Sequence, residues 1–480
     1  MSKLDKLNPQ RVFYYFEKIS SIPRGSGNMK SIAQFCEDFA IEHNLKYVRD
    51  TADNVVIYKN GTAGYENSAP IILQGHLDMV CQKTDDCDID FTKDGLELYV
   101  DGDFIKARGT TLGADNGIAV AMVLSILESN DIAHPPIEAV FTTDEEIGMI
   151  GARALDMSVL RGTRMINLDS DAEGIVTVSC AGGSDFVAHL PLEKHRAYGT
   201  PVMLEIKGLK GGHSGVEIDK NRVNANIIAA RILTDIKSAV GFSIISINGG
   251  DKANAIPNSC KIQLCVEDAD LFCDTAKKYI DIIKDEIRDR EPDFNAQLTA
   301  ESAKECDVFE RDTESKITNA LLCAPNGVME MSAGIKGLVQ TSLNLGILET
   351  KNDCILLHFA LRSNKQSSLM FLQSRLAALF GILNVPTETF GHYPPWEYRE
   401  NSPLRDIYCS VYRDTFGKES KIEAIHAGLE CGVFDSAIDD FDCIAIGPAL
   451  YDIHTTRERL SISSTENLYS LIIKILEKLK

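Results

Sequence analysis

Apolar and polar positions alternate in two rhythms along the first third of the chain. Short apolar runs at 70–74, 137–142 and 165–168 have the length of buried strands. Apolar residues at helical spacing predict a buried helix at 118–127, and the pattern at 31–43 predicts an amphipathic helix. Strands that alternate with helices predict an α/β unit on a mostly parallel sheet.

The pattern changes after Gly182-Gly183. Strands are predicted at 186–192, 202–206, 243–248, 260–266, 338–348 and 354–361, and helices at 221–236, 271–288 and 367–380. The first of these segments follow the β-α-β-β-α-β order of a ferredoxin-like unit, and the later ones suggest a second round. We therefore expect 182–389 to form an inserted α+β domain of ferredoxin-like halves, the lid domain.

The C-terminal quarter returns to the first pattern, with a short strand predicted at 443–447 and a closing helix at 464–479. A chain of 480 residues exceeds the roughly 250–300 residues at which one hydrophobic core stops growing. We therefore expect residues 1–181 and 390–480 to form one α/β domain that the inserted domain interrupts.

Charge and cysteine usage narrow the class of protein. The net charge of −21 repels nucleic-acid phosphates and anionic lipid surfaces, so neither is expected as a partner. Residues 1–11 lack the apolar core of a signal peptide, and no apolar run approaches the roughly 20 residues of a membrane span. Thirteen scattered cysteines favour reduced thiols, which predicts a cytoplasmic protein.

Residues suited to bind metal follow several predicted strands, and one lies in a glycine turn before the buried helix. They are His76 and Asp78 after the first run, Glu145 and Glu146 after 137–142, Asp169 after 165–168, His454 after 443–447, and Asp115 in the turn Gly113-Ala114-Asp115-Asn116-Gly117. In open α/β sheets, ligands bind outside the carboxyl ends of the strands. These residues are therefore expected to converge at one edge.

Each residue also has an ordinary structural explanation. Asp115 before a helix is a common N-cap, Glu145-Glu146 is typical of a solvated turn, and a histidine after a strand is often a hydrogen-bonded loop residue. Five candidate ligands of the right type fall together at the same end of the predicted strands, which favours a metal site instead: His76, Asp115, Glu146, Asp169 and His454. Two imidazoles and three carboxylates suit zinc, or cobalt and manganese.

The charge of this ligand set favours two divalent ions with a bridging hydroxide, because three carboxylates do not neutralise two such ions. Coordination lowers the pKa of water from about 15.7 to about 7. Asp78 is placed to hydrogen-bond the far nitrogen of His76. Glu145 can take a proton from water and return it to the leaving amine.

Together these motifs resemble the dinuclear zinc peptidases related to carboxypeptidase G-type enzymes and carnosinases. The resemblance runs from Ser21-Ile22-Pro23-Arg24 to the final helix and includes His76-Leu77-Asp78, Asp144-Glu145-Glu146-Ile147-Gly148 and Asn167-Leu168-Asp169. It implies one zinc on His76, Asp115 and Asp169, and another on Asp115, Glu146 and His454. Asp115 then bridges the ions, Glu145 is the general base and Asp78 the orienting acid.

The inserted domain also carries matching residues. Gly211-Gly212-His213-Ser214-Gly215 resembles the motif whose histidine, here His213, polarises the scissile carbonyl, in dimeric relatives within the partner's site. Asn254 and Arg362 resemble the groups that hold the substrate's C-terminal carboxylate, and Gly428 matches backbone that helps there. A turn or an exposed strand is the ordinary explanation of each.

The resemblance thus implies a homodimeric dipeptidase with two Zn²⁺, which Co²⁺ or Mn²⁺ can replace. Its substrates are unblocked dipeptides, including Xaa-His types such as β-alanyl-histidine. The alternatives are an N-acyl amino acid deacylase with the same ligands and a non-catalytic binding protein on this fold. The long insert favours the dipeptidase. Many relatives have Asp-Asp where this chain has Asp115-Asn116, a difference expected at most to alter local charge.

Overall fold

The computed structural model describes residues 3–480, so the first two residues of the predicted segment 1–181 lie outside the described part. The α-helices are α1 Gln10–Ser20, α2 Lys30–Glu42, α3 Ala114–Glu128, α4 Ile150–Ala154, α5 Ala225–Lys237, α6 Ala269–Ile287, α7 Arg311–Cys323, α8 Gln366–Ile382, α9 Pro403–Phe416, α10 Cys431–Asp435 and α11 Ile462–Lys478.

The strands of the first half of the chain are β1 Lys46–Arg49, β2 Val55–Lys59, β3 Ile71–His76, β4 Leu98–Asp101, β5 Phe104–Ala107, β6 Ile137–Thr142, β7 Arg164–Asn167, β8 Ile175–Cys180, β9 Gly182–Pro191, β10 Lys194–Lys207 and β11 Gly212–His213. Those that follow are β12 Ser243–Gly249, β13 Ala255–Ile256, β14 Cys260–Val266, β15 Asn295–Ala300, β16 Lys304–Phe309, β17 Gly327–Met331, β18 Val339–Thr350, β19 Cys354–Ser363, β20 Thr387–Tyr393, β21 Lys421–Ile425, β22 Asp442–Ala445, β23 Leu450–Tyr451 and β24 Arg459–Ser461.

One compact unit contains the described residues up to Cys180 together with Trp396–Ala424 and Leu429–Lys480. Its main sheet has the strand order β1-β2-β6-β3-β7-β22-β8-β21. The central strands β6, β3, β7 and β22 are parallel, whereas β1, β2 and β8 pair antiparallel. The predicted parallel sheet is therefore the middle of a mixed sheet.

The core of this unit follows from continuous apolar runs. Every residue of β3 and β6 is buried, as in parallel strands that are covered on both faces. Helix α3 is buried along nearly its whole length and packs against β3 and α1. Because β6, β3, β7 and β22 run in parallel, their carboxyl ends meet at one edge of the sheet.

The other compact unit contains Ala181–Pro395 and Ile425–Gly428, built on a ten-stranded sheet. The order β15-β10-β14-β12, with helices α5 and α6, is that of one ferredoxin-like half. The order β18-β19-β9-β20, with α7 and α8, is that of the other half. The predicted α+β domain of ferredoxin-like halves is thus confirmed.

The two halves are nested rather than consecutive, which corrects one expectation. The strand predicted at 186–192 was expected to begin the first half, but β9 pairs with β19 and β20 of the second half. The whole first half is inserted between β9 and α7. Pattern alone did not reveal this, because a strand's apolar positions do not identify its distant partner.

The units also divide at slightly different places from the expected 182–389. Residues 390–395 and 425–428 belong to the second unit. Hydrogen bonds to backbone carbonyls explain the second segment, since Ala181 N–H donates to Ala427 O at 3.0 Å and the side-chain Nδ2 of Asn364 donates to Ile425 O at 3.2 Å.

The structure also bears on the expectations about cysteines and membrane spans. All thirteen cysteines are free thiols. Within residues 3–480, no helix combines the length and apolar character that crossing a bilayer requires.

Candidate metal centre and substrate-binding residues

The parallel strands of the first unit deliver the predicted ligands to one edge. His76 is the last residue of β3, Glu145 and Glu146 follow β6 closely, and Asp169 lies just beyond β7. His454 occupies the loop between β23 and β24. Asp115 lies at the start of α3, in non-helical backbone, and its peptide bond to Asn116 is cis.

Asp115 lies between the two imidazoles. Its Oδ1 is 3.1 Å from His76 Nε2, and its Oδ2 is 3.2 Å from His454 Nε2. His454 Nε2 is also 2.9 Å from Glu146 Oε1, and His76 Nε2 is 3.5 Å from Asp169 Oδ1. Donor atoms of His76, Asp115 and Glu146 all lie within 4.8 Å of one another. The five predicted ligands therefore form one cluster.

Negative charge dominates this cluster and shifts the pKa values of its members. Burial would lower the pKa of His76, but Asp169, Asp115 and Asp78 raise it well above its usual value. Hydrogen bonds that His454 donates to Asp115 and Glu146 raise the pKa of its imidazole to about 10. Burial raises the pKa of Asp169 to about 6. Such a site favours cations.

Burial also raises the pKa of Glu145 well above its usual value. The charges of Asp169, Glu430 and Glu146 act in the same direction, and His76 opposes them. A carboxyl that holds its proton this firmly suits a group that takes up a proton and gives it back. The backbone beside Glu145 is fixed by Asp78.

Asp78 is fully buried and has two tasks. Its Oδ1 lies 3.2 Å from His76 Nδ1, which leaves His76 Nε2 to face the cluster. Its two oxygens also accept the backbone N–H groups of Glu145 and Glu146 at 3.0 and 3.2 Å. Although burial opposes it, hydrogen bonding to His76 lowers the pKa of Asp78 to about 2. Asp78 thus orients one imidazole and holds the turn carrying two acids.

Asn116 does more than the expected change of local charge. It is buried, and its Oδ1 accepts His76 N–H at 3.1 Å. Its Nδ2 donates to Leu168 O at 2.8 Å and to Asp169 Oδ1 at 3.1 Å. An ionised aspartate would offer no donor for these two bonds. The amide therefore connects two ligand-bearing strands.

Sequence reasoning missed a buried polar layer beneath the cluster. Glu430 Oε2 accepts Gln74 Nε2 at 2.5 Å and Thr142 Oγ1 at 2.7 Å, and Asn167 Nδ2 donates to Gln74 Oε1 at 2.5 Å. Burial raises the pKa of Glu430 to about 7. Polar residues inside apolar strands were the available signal, since Gln74, Thr142 and Asn167 interrupt three of them.

The donor set fits a pair of divalent cations. The oxygens of Asp115 face different imidazoles, and each imidazole has a further carboxylate beside it. Mixed nitrogen and oxygen donors suit zinc and neighbouring transition metals.

In the second unit, His213 has a defined tautomer. Its Nδ1 accepts the backbone N–H groups of Gly215 and Val216, both at 3.2 Å. Burial, followed by the charge of Arg362, lowers its pKa, so the ring is neutral near pH 7. A neutral imidazole with an acceptor at Nδ1 carries its proton on Nε2. His213 is thus a hydrogen-bond donor.

The other predicted residues of this unit lie on neighbouring elements. Asn254 O accepts Ser214 N–H at 2.9 Å, next to the β11–β13 pair that contains His213. Gly428 closes the segment Ile425–Gly428. Arg362 Nη1 donates to Tyr393 Oη at 2.8 Å across β9. Gly183 lies between them, and a Cβ there would lie 2.5 Å from Tyr393 Oη.

His426 was not predicted, although it lies only two residues before Gly428. It is 6% exposed. Its Nε2 lies 2.7 Å from Ser342 Oγ, and its Nδ1 lies 3.2 Å from Asn364 Oδ1. Burial, together with Arg362 and His213, lowers its pKa to about 3. His426 is therefore a neutral, hydrogen-bonded ring that lies close to Arg362 and His213.

The fold and the clustered imidazoles and carboxylates define a metal-dependent peptidase. Comparison with known families agrees: the chain belongs to peptidase family M20/M25/M40, which matches residues 72–478. The resemblance inferred from the motifs is confirmed.

Individual relatives match over the full length. The chain is 37% identical over 485 residues to the cytosol non-specific dipeptidase of Escherichia coli K12, covering 100% of this chain and 99% of that one. The crystal structure of aminoacylhistidine dipeptidase from Vibrio alginolyticus superposes with a TM-score of 0.92 at 34% identity, covering 99% and 98% of the chains. Human carnosine dipeptidase 1 shares the fold alone, with a TM-score of 0.51, 12% identity and coverage of 98% and 95%.

The low pKa of His426 predicts a pH-dependent stability. The unfolded chain binds a proton at this histidine below about pH 6.5, whereas the folded chain resists until about pH 3, so stability falls as pH drops through this window. Between about pH 7.5 and pH 5.0, His426 alone should remove about 2 kcal/mol of unfolding free energy. Chemical denaturation of metal-free protein measures this loss.

His426→Gln is the matched control, because glutamine can accept from Ser342 and donate to Asn364 without titrating. The variant should lose about 2 kcal/mol less than the native chain over the same interval. Equal losses in the two proteins would contradict a neutral, buried His426.

Proposed function

We propose that the chain hydrolyses unblocked dipeptides, including Xaa-His types such as β-alanyl-histidine, with two Zn²⁺ that Co²⁺ or Mn²⁺ can replace. The observation that carries the proposal is the division of Asp115's two oxygens between His76 and His454, beside Glu145. The names of the full-length relatives, a non-specific dipeptidase and an aminoacylhistidine dipeptidase, support the substrate class.

The proposed ligands are His76, Asp115 and Asp169 for one ion, and Asp115, Glu146 and His454 for the other. When bound, the ions supply Lewis-acid polarisation of the scissile carbonyl and a water of lowered pKa. Glu145 takes the proton of the attacking water and transfers it to the leaving amine. Asp78 keeps Nε2 of His76 directed at the site throughout.

In this proposal, His213 donates a hydrogen bond from Nε2 to the developing oxyanion, which its tautomer and lowered pKa support. Arg362 binds the C-terminal carboxylate, with Asn254 and the backbone at Gly428. A guanidinium can form two parallel bonds to a carboxylate, which an ammonium cannot. Tyr393 supports this role by holding Arg362 across Gly183.

The two alternatives remain distinct in what they require. An N-acyl amino acid deacylase needs no free amino group on its substrate, and a binding protein needs no Glu145. The nested pair of ferredoxin-like halves and the full-length dipeptidase relatives favour the dipeptidase. Free thiols and the name of the Escherichia coli relative support a cytoplasmic protein.

We also propose a homodimer through the inserted domain. Among residues 3–480, β20 is the last strand of the second unit's sheet, and exposed apolar residues lie on helix α8, which packs against it. Phe371 is 64% exposed and Ile382 is 81% exposed. A second copy can cover the same strand and helix in an isologous contact, in which each copy uses the same patch.

The first of three predictions from this proposal tests whether Glu145 is the proton acceptor rather than a metal ligand. Glu145→Gln should lower kcat by at least about 10²-fold while both metals remain bound, because only the proton acceptor is lost. His76→Ala should lose metal as well as activity. Steady-state assays and metal analysis of the purified variants decide this, and near-normal turnover in Glu145→Gln would show that the assigned base is wrong.

A second prediction concerns the substrate carboxylate. The native enzyme should cleave β-alanyl-histidine and prefer it strongly over its C-terminal amide, and Arg362→Lys should remove most of that preference by lowering kcat/KM for the free acid about 10–100-fold. Rates on acid and amide are measured for both proteins. N-acetylated amino acids complete the panel, and their faster hydrolysis would indicate a deacylase.

A third prediction tests the dimer. Replacing Phe371 and Ile382 by glutamate should convert a dimer into a monomer, because like charges then face each other across the two-fold axis. Light scattering after size exclusion measures the mass. The control is Ile282→Glu, an equally apolar side chain that is 58% exposed on α6 of the other half. A native monomer, or a double variant that stays dimeric, would overturn this interface.

A further inference from the structure

A buried arginine connects two of the ligand-bearing loops. Arg24 is 1% exposed. Its Nη1 donates to Leu77 O at 2.9 Å and to Asp78 O at 3.0 Å, immediately after His76. Its Nη2 donates to Gly113 O, two residues before Asp115. One side chain therefore holds the end of β3 against the turn that begins α3.

Glycines make room for this guanidinium. A Cβ on Gly113 would lie 2.6 Å from Arg24 Nη2, and a Cβ on Gly117 would lie 2.5 Å from it. Gly113 also has a φ of 65°, a conformation that favours glycine. The glycines of the turn around Asp115 thus accommodate the arginine as well as the backbone.

A buried glutamate accepts hydrogen bonds from backbone N–H groups of the same turn. Glu458 is 3% exposed. Its Oε2 accepts the N–H groups of Leu112 and Gly113 at 2.8 and 3.0 Å. Its Oε1 accepts those of Ala114 and Asp115 at 2.9 and 3.4 Å. Glu458 lies in the loop that carries His454, so that loop is fastened to Asp115.

We infer that Arg24 and Glu458, here called the loop clamp, are positioning residues that set the spacing of His76, Asp115 and His454 before any metal binds. The inference rests on the proposed ligand set. Arg24 joins the His76 loop to the Asp115 turn, and Glu458 joins the Asp115 turn to the His454 loop. Neither belongs to the proposed ligand set, yet together they link the three segments whose donor atoms meet.

The charges explain why this pair is expected to act as a unit. An isolated buried ion is strongly unfavourable, whereas a buried ion that is hydrogen-bonded and has an opposite charge nearby is tolerated. Arg24 donates to a carbonyl of the Asp115 turn, and Glu458 accepts from N–H groups of the same turn. A ligand spacing fixed in this way avoids reorganisation when cations enter, which favours metal affinity.

The experiment compares clamp variants with matched controls elsewhere in the unit. Glu458→Gln and Arg24→Lys alter the clamp. Glu138→Gln is the first control, because buried Glu138 also accepts backbone N–H groups, from Arg161 and Gly162, near the opposite end of β6. Arg164→Lys is the second control, since Arg164, the first residue of β7, donates to the backbone oxygen of Ala69.

Three quantities are measured on metal-free protein: the dissociation constants of Zn²⁺ and Co²⁺ by competition with a chromophoric chelator, the visible spectrum of the Co²⁺ protein, and the unfolding midpoint. The clamp variants should bind metal about 10–100-fold more weakly and show an altered Co²⁺ spectrum. The controls should lower only the unfolding midpoint. Glu458→Asp keeps the charge and serves if Glu458→Gln does not fold, with weaker binding again expected.

Native metal affinity and spectrum in Glu458→Gln, or in Glu458→Asp if that is the folded variant, would overturn the clamp. An equal loss of affinity in Glu138→Gln would also overturn it, because the effect would then be general destabilisation. His76→Ala and His454→Ala test the ligand set separately. If these lose an ion while the clamp variants bind normally, only the clamp is wrong, and if these keep both ions, the ligand set is wrong.

Discussion

The first unit is organised around the sharing of Asp115 between two imidazoles. Its oxygens lie 3.1 and 3.2 Å from His76 and His454, so one carboxylate sets the distance between imidazoles that are far apart in sequence. Acidic neighbours around it raise the pKa values of both histidines. The fold holds together charges that repel one another, and this is stable only with compensating donors and cations.

The parallel centre of the sheet supplies the framework for this arrangement. Strands β3, β6 and β7 end side by side, and a proposed ligand or the proposed proton-transfer group lies at or within a few residues of each end. Below that edge, Glu430 accepts from Gln74 and Thr142 and so joins two neighbouring strands through buried polar bonds. Side-chain bonds of this kind fix the strands laterally, where apolar packing alone would tolerate small shifts.

In the second unit, the pKa values of two histidines are lowered rather than raised. His213 and His426 both have lowered pKa values, because burial and the nearby Arg362 disfavour a further positive charge. Neutral imidazoles are directional: one nitrogen donates and the other accepts. In this unit, Arg362 therefore lies close to two neutral rings of defined polarity.

Local pattern determined much of this protein. The sequence predicted the helix at 118–127, the strand at 137–142 and the ends of the apolar runs at His76 and Asp169. Burial makes apolar positions recur with the period of a helix or a strand, and polar residues mark where each element ends. Tertiary structure alone decided the partner of β9, the contacts of Asn116, and the joining of Arg24 and Glu458 to the same turn. Those depend on pairing between distant segments, which no local periodicity encodes, because a buried polar residue shows its partner only once the chain has folded.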